Sequence, residues 1–138
     1  MRAVIDTNVF VGACLGEDAA NAVLRACLKH RFVPLMGAAL LAEYEAVLGR
    51  DTLFTRSKLS ADERGQLLDI FLALCEWTRV YYLWRPNLPD EADNHLVELA
   101  VAGGADLIIT RNVRGVGRGQ LSFPTLRTLT PEAFLKEL

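Results

Sequence analysis

Apolar positions along the chain follow two rhythms that alternate: short unbroken runs, and longer stretches with a single apolar face. Unbroken runs fit buried strands, and one-faced stretches fit amphipathic helices. Residues 2–6 read as a strand that stops at Asp6. Asp18 caps a helix over about 19–29, with Ala22, Val23, Ala26 and Cys27 on one side. Residues 32–36 form a second strand, and Pro34, which has no N–H for a ladder, places it at an edge or at a strand start.

The alternation continues to the end. Gly37 leads into a helix over 38–48, striped by Leu40, Leu41, Tyr44, Val47 and Leu48, and Gly49 closes it. Ser60 and Glu63 have capping-box spacing and open a third helix to about residue 76, with Leu67, Leu68, Phe71 and Leu74 inward. Residues 79–83 are rich in strand formers. A two-proline turn follows, then a helix over about 93–102 that Gly103 and Gly104 end. Leu107 to Thr110 is a continuous apolar strand, 111–121 a glycine-rich loop, and 125–129 a last strand, after which Pro131 starts a short helix. Strand alternating with helix predicts an α/β fold, a parallel sheet sandwiched between helices.

Composition narrows this picture without redirecting it. The 138 residues suit one domain, 1–138, and 51% hydrophobic with 23% charged residues suits a filled core and excludes a disordered chain. A net charge of −2 gives no global attraction to nucleic acid, so such a partner needs a local patch. Cys14, Cys27 and Cys75 are widely spaced inside apolar segments, as small buried hydrophobes are in a reducing compartment, and show no zinc spacing. There is no signal-sequence pattern and no apolar run long enough to span a membrane, so the expected location is cytoplasmic.

The candidate chemistry lies in the acids. Asp6 directly follows the first strand, at the edge where open α/β sheets bind ligands. Glu43 and Asp93 fall where the chain returns to that edge. Three converging carboxylates repel one another unless a cation sits among them, which points to a divalent metal and metal-assisted hydrolysis. Periodicity leaves Glu43 and Glu45 both open, since they point about 200° apart around their helix. Asp93 also stands where a carboxylate favours a helix start.

Set in order, Val4-Ile-Asp-Thr-Asn-Val9, Leu40 to Leu48, Asp90 to Ala100, Gly104 to Asn112 and Thr130 to Leu135 cover nearly the whole chain. That ordered set resembles the PIN-domain family of metal-dependent nucleases, in particular its prokaryotic toxin branch. The resemblance implies a three-layer α/β/α sandwich with a central parallel sheet of four or five strands. It implies that Asp6, Glu43 and Asp93 ligate Mg²⁺ or Mn²⁺, that Asp90 is an accessory acid, and that Glu43 rather than Glu45 is the site acid. It also implies an endoribonuclease in which an activated water attacks the phosphodiester in line, a small antitoxin partner and a homodimer. The family's fourth acidic position is Asn112 here, and Gly115 stands where relatives often carry another acid. Asn112 can complete the ligand shell through its carbonyl but adds no charge.

Around the acids, Thr7, Asn8 and Thr110 are candidate orienting donors. Arg111, Arg114, Arg118 and Arg127 lie in a stretch free of acids, three of them in the glycine-rich loop, and read as a cationic rim for RNA phosphates. His95 is expected on the solvated side of its helix and receives no role. Trp77, Tyr81, Tyr82 and Trp84 read as core or dimer surface before a base platform. Two rival functions remain: a nucleic-acid-binding or regulatory module weakened in catalysis at Asn112 and Gly115, and a phosphatase of the haloacid dehalogenase type. The latter wants an acid where Asn8 stands.

Overall fold

In the computed structural model, which describes residues 1–80, 94–117 and 125–138, the first apolar run becomes the central strand of the sheet. This strand, β1 (Arg2–Ile5), lies between β2 (Val33–Met36) and β4 (Leu107–Ile109). Beyond them, β3 (Glu76–Trp77) and β5 (Arg127–Leu129) make up a five-stranded sheet of order β3-β2-β1-β4-β5. Every pairing is parallel, as expected from the alternation, and the sheet has five strands.

The order reverses at β1. The chain builds outward through β2 and β3, crosses back, and adds β4 and β5 on the other side. In open parallel sheets ligands bind beyond the carboxyl ends of the strands where the order reverses, which here are those of β1 and β4. Right-handed crossovers put α1 (Thr7–Cys14), α2 (Asp18–Leu28), α3 (Ala38–Leu48) and α4 (Ala61–Leu74) on one side. The same rule puts α5 (Asn94–Ala102) and α6 (Val113–Gly117) on the other. Last, α7 (Pro131–Leu135) returns to pack on α2.

Several expectations need correction. A helix, α1, begins immediately after Asp6, and no helix was expected there. The strand beside β2 is Glu76–Trp77, α4 having ended at Leu74; Arg79 and Val80 are not in a strand, and 81–83 lie outside the described residues. Pro34 is the second residue of β2, close to the strand start that its missing N–H calls for, and pairs with Ala3. The Val33 N–H donates to the Met1 carbonyl, so alternation turns the Pro34 nitrogen toward β3. Pairing with β3 begins only at Leu35, so the missing N–H has no partner to lose. The glycine-rich stretch also holds helix α6.

Local signals explain the rest. Ser60 and Glu63 form the capping box of α4, at 3.1 and 2.9 Å, and Thr130 caps α7 with Pro131 at its first position. Gly104 has φ +64 at the end of α5, where a side chain would be strained. On the α1–α4 side, Phe10, Tyr44 and Phe71 form an aromatic cluster with ring centroids 5.3–5.9 Å apart. Trp77 is 52% exposed and so is not core. Burial pushes the Cys14 thiol up to about 11 and the Cys75 thiol to about 12, and raises that of Cys27, which favours the protonated thiol in each. Among the described residues, no helix is long and apolar enough to cross a membrane.

Candidate functional site

Ile5 and Ile109 are register partners, so Asp6 and Thr110 are the next residues out on two adjacent strands, at the reversal of strand order. The Thr110 hydroxyl donates to Asp6 Oδ2 at 2.7 Å, and the Asn8 amide donates to the same oxygen at 3.3 Å. Asp6 is the N-cap residue of α1, yet its side chain makes no capping bond. A buried carboxylate released from capping and oriented by two side-chain donors is placed for ligand chemistry.

Glu43 reaches the same edge from α3. Its neighbour Tyr44 is fully buried and donates its hydroxyl to the Ile5 carbonyl at 2.7 Å, which ties α3 to the last residue of β1. That fixes the rotation of α3 and brings Glu43 to the site, while Glu45 stays exposed. Thr7, next in sequence to Asp6, donates its hydroxyl to Glu43 Oε1 at 2.5 Å. The other oxygen, Oε2, lies 2.8 Å from His95 Nε2. The imidazole beside it, helped by the Thr7 hydroxyl and opposed by burial, holds the Glu43 carboxyl below the usual carboxylate range.

His95 therefore contradicts its expected place. Its side chain is only 18% exposed and faces Glu43. Helix α5 has no solvated side at this level, because Leu96 through Ala100 are all buried, Glu98 among them.

Asn112 sits at the start of α6. Its backbone N–H donates to the Thr110 hydroxyl at 2.9 Å, and its side-chain oxygen accepts the Gly115 N–H at 3.3 Å. A Cβ at Gly115 would stand 2.5 Å from the Asn112 amide nitrogen, so the glycine and the asparagine fit as a pair.

The expected cationic rim is partly committed elsewhere. Arg111 is gripped by both oxygens of Glu132 at 2.6 Å and by Glu17 at 2.7 Å, and Arg127 is paired with Glu137. Arg114 is exposed and has no ion-pair partner among the described residues.

Asp93, Asp90 and Arg118 lie outside the described residues. Among the described residues, no group of three or more His, Cys, Asp or Glu side chains could hold a metal ion. The described acids at the edge, Asp6 and Glu43, offer hard carboxylate oxygens, and each Glu43 oxygen, with one hydrogen bond among the described residues, keeps a second lone pair. That donor chemistry fits Mg²⁺ or Mn²⁺ and does not fit a soft metal.

The comparisons with known proteins agree with this geometry. A family model described as a PIN domain matches residues 2–114. No curated protein matches the sequence. A solved structure described as VapBC2 from Rickettsia felis bound to a DNA fragment from their promoter is similar in fold, with a TM-score of 0.61 and 20% identity over 93% of this chain and 97% of that one.

Proposed function

The chain belongs to the PIN-domain family, whose members are in general nucleases, and on that footing we propose that it is a Mg²⁺- or Mn²⁺-dependent endoribonuclease, the toxin of a toxin–antitoxin pair. One observation carries the reading: adjacent residues Asp6 and Thr7 serve two carboxylates at the carboxyl edge of the central strand. Asp6 is itself one acid, and Thr7 holds the other, Glu43.

In this reading Asp6, Glu43 and Asp93 hold the ion, Asn112 completes the set, and Asp90 is an accessory acid. When bound, Mg²⁺ or Mn²⁺ supplies Lewis acidity to the phosphodiester and makes water nucleophilic near neutral pH. The chain's own part is positioning. Thr110 and Asn8 fix Asp6, Thr7 fixes Glu43, and burial of Asp6 keeps competing water away. Arg114, exposed and unpaired among the described residues, is the foremost candidate to contact the RNA backbone, with Arg118 as a second and Arg111 held back by its carboxylates.

Likeness to a VapBC2 complex supports an antitoxin partner. A homodimer and a cytoplasmic location complete the proposal. Asn112 favours a second reading, a weakened nucleic-acid-binding module, because it adds no charge and its carbonyl already accepts the Gly115 N–H. A Mn²⁺ titration with RNA cleavage and RNA binding read together separates the two. Cleavage that requires Mn²⁺ and is lost in Asp6→Asn supports the nuclease, and binding without cleavage supports the module.

A further inference from the structure

We propose that His95 is the positioning residue for Glu43, a role that rests on reading Glu43 as a metal ligand. A carboxylate plane turns almost freely about its last torsion, so an acid on a helix surface presents no fixed lone pair. Glu43 is restrained at both oxygens and from two elements: the Thr7 hydroxyl of α1 at 2.5 Å on Oε1, and the His95 ring of α5 at 2.8 Å on Oε2. Donors on opposite oxygens hold the plane where a single donor would leave it hinged.

The ring's other nitrogen settles which way this bond runs. His95 Nδ1 is buried and has no hydrogen-bond partner among the described residues. A proton there would be an orphaned buried donor, and Nε2 would then turn a lone pair, not an N–H, toward a carboxylate that can only accept. The ring proton therefore belongs on Nε2, and His95 donates to Glu43. Burial alone does not account for this arrangement, since a ring that merely filled space would gain nothing by turning Nε2 to a carboxylate. Helix α5 joins the site by the same contact, so one bond sets Glu43 relative to the helix that follows Asp93.

Two variants separate donation from packing. His95→Phe keeps the ring's bulk and removes the donor; His95→Gln changes the shape and keeps an N–H at similar reach. Mn²⁺ alone is the probe, its affinity measured by calorimetry beside thermal unfolding of each protein. Loss of an orienting donor weakens metal binding by about 10–100-fold. His95→Phe is expected to show that loss at little cost in melting temperature, with His95→Gln close to wild type. Phe binding as well as wild type, or Gln as poorly as Phe, overturns the proposal.

A second measurement needs no metal. The chain has two histidines, His30 and His95, so the imidazole ¹⁵N spectrum is readily assigned. It is expected to show His95 protonated at Nε2 and bare at Nδ1; the reverse tautomer overturns the proposal. Mn²⁺ binding unchanged in Asp6→Asn overturns the metal reading instead, and the tautomer still reports whether His95 holds Glu43.

Discussion

The Thr110 hydroxyl donates to Asp6 Oδ2 at 2.7 Å across the boundary between β4 and β1, the point at which the strand order reverses. Both residues are buried, and the same hydroxyl accepts the Asn112 N–H, so one side chain ties the acid to the loop that follows β4. Thr110→Val keeps the shape and removes these bonds. Because the lost bond is to a carboxylate, the variant should be less stable by about 1.5–3 kcal/mol in urea unfolding. Its cleavage rate should fall by about 10–100-fold, with Thr110→Ser retaining most of it.

Tyr44 does for α3 what Thr110 does for Asp6. Its hydroxyl is fully buried against the Ile5 carbonyl, and burial pushes its phenol well above the ordinary value, so it stays a donor. Tyr44→Phe should cost about 0.5–1.5 kcal/mol by urea unfolding. It should weaken Mn²⁺ binding as well, because Glu43 is placed by the rotation of the same helix. A variant less stable but unchanged in Mn²⁺ affinity would show that Glu43 is positioned by other contacts.

The clamp on Arg111 predicts a pH dependence. The hydrogen bond from Arg111 holds the Glu132 carboxyl below the usual carboxylate range. A carboxyl lowered in the folded state contributes stability that is fully present above its unfolded value, about 4.3, and that is lost as pH falls through the folded value. The stability difference between wild type and Arg111→Ala should therefore shrink as pH drops below about 4. Carboxyl NMR titration should show the Glu132 midpoint returning toward the ordinary value in the variant. Equal Glu132 midpoints in the two proteins would exclude the clamp in solution.

Much of the fold is legible because it depends on local chemistry. The strand ending at Asp6, the Ser60–Glu63 capping box and the Thr130–Pro131 helix start are all signals carried by adjacent residues. Helix α1 was hidden because Val9, Phe10 and Val11 are strand formers, and the burial of Phe10 and Val9 against the core outweighs that preference. The third strand was drawn toward the β-formers at 79–83, whereas pairing with β2 is fixed by where α4 ends, a tertiary matter. In the site, strand ends marked Asp6 and Thr110, but periodicity could not choose between Glu43 and Glu45. That choice is made by the Tyr44 bond to Ile5, 39 residues away in sequence. His95 was missed for the same reason, its partner lying 52 residues away. The one available signal was the run Leu96, Val97, Leu99 and Ala100 around Glu98, too apolar to leave a solvated face.

Asn112 tests whether a fourth charge would strengthen the proposed site. Its side-chain oxygen accepts the Gly115 N–H at the start of α6, and an aspartate can accept the same bond while adding charge where the helix favours it. Asn112→Asp should therefore fold normally, bind Mn²⁺ more tightly and cleave faster. No change in either, measured by calorimetry and RNA cleavage, would put this position outside the ligand set.

If Asp6 and Glu43 act together on a divalent ion to cut RNA, cleavage needs both. The direct measurement is single-turnover cleavage of RNA across a Mn²⁺ titration by wild type, Asp6→Asn and Glu43→Gln, with folding checked by circular dichroism. Wild type is expected to cleave in a Mn²⁺-dependent way, and each folded variant to lose at least about 100-fold, since each removes an anionic ligand. Cleavage that persists in folded Asp6→Asn would contradict this joint action.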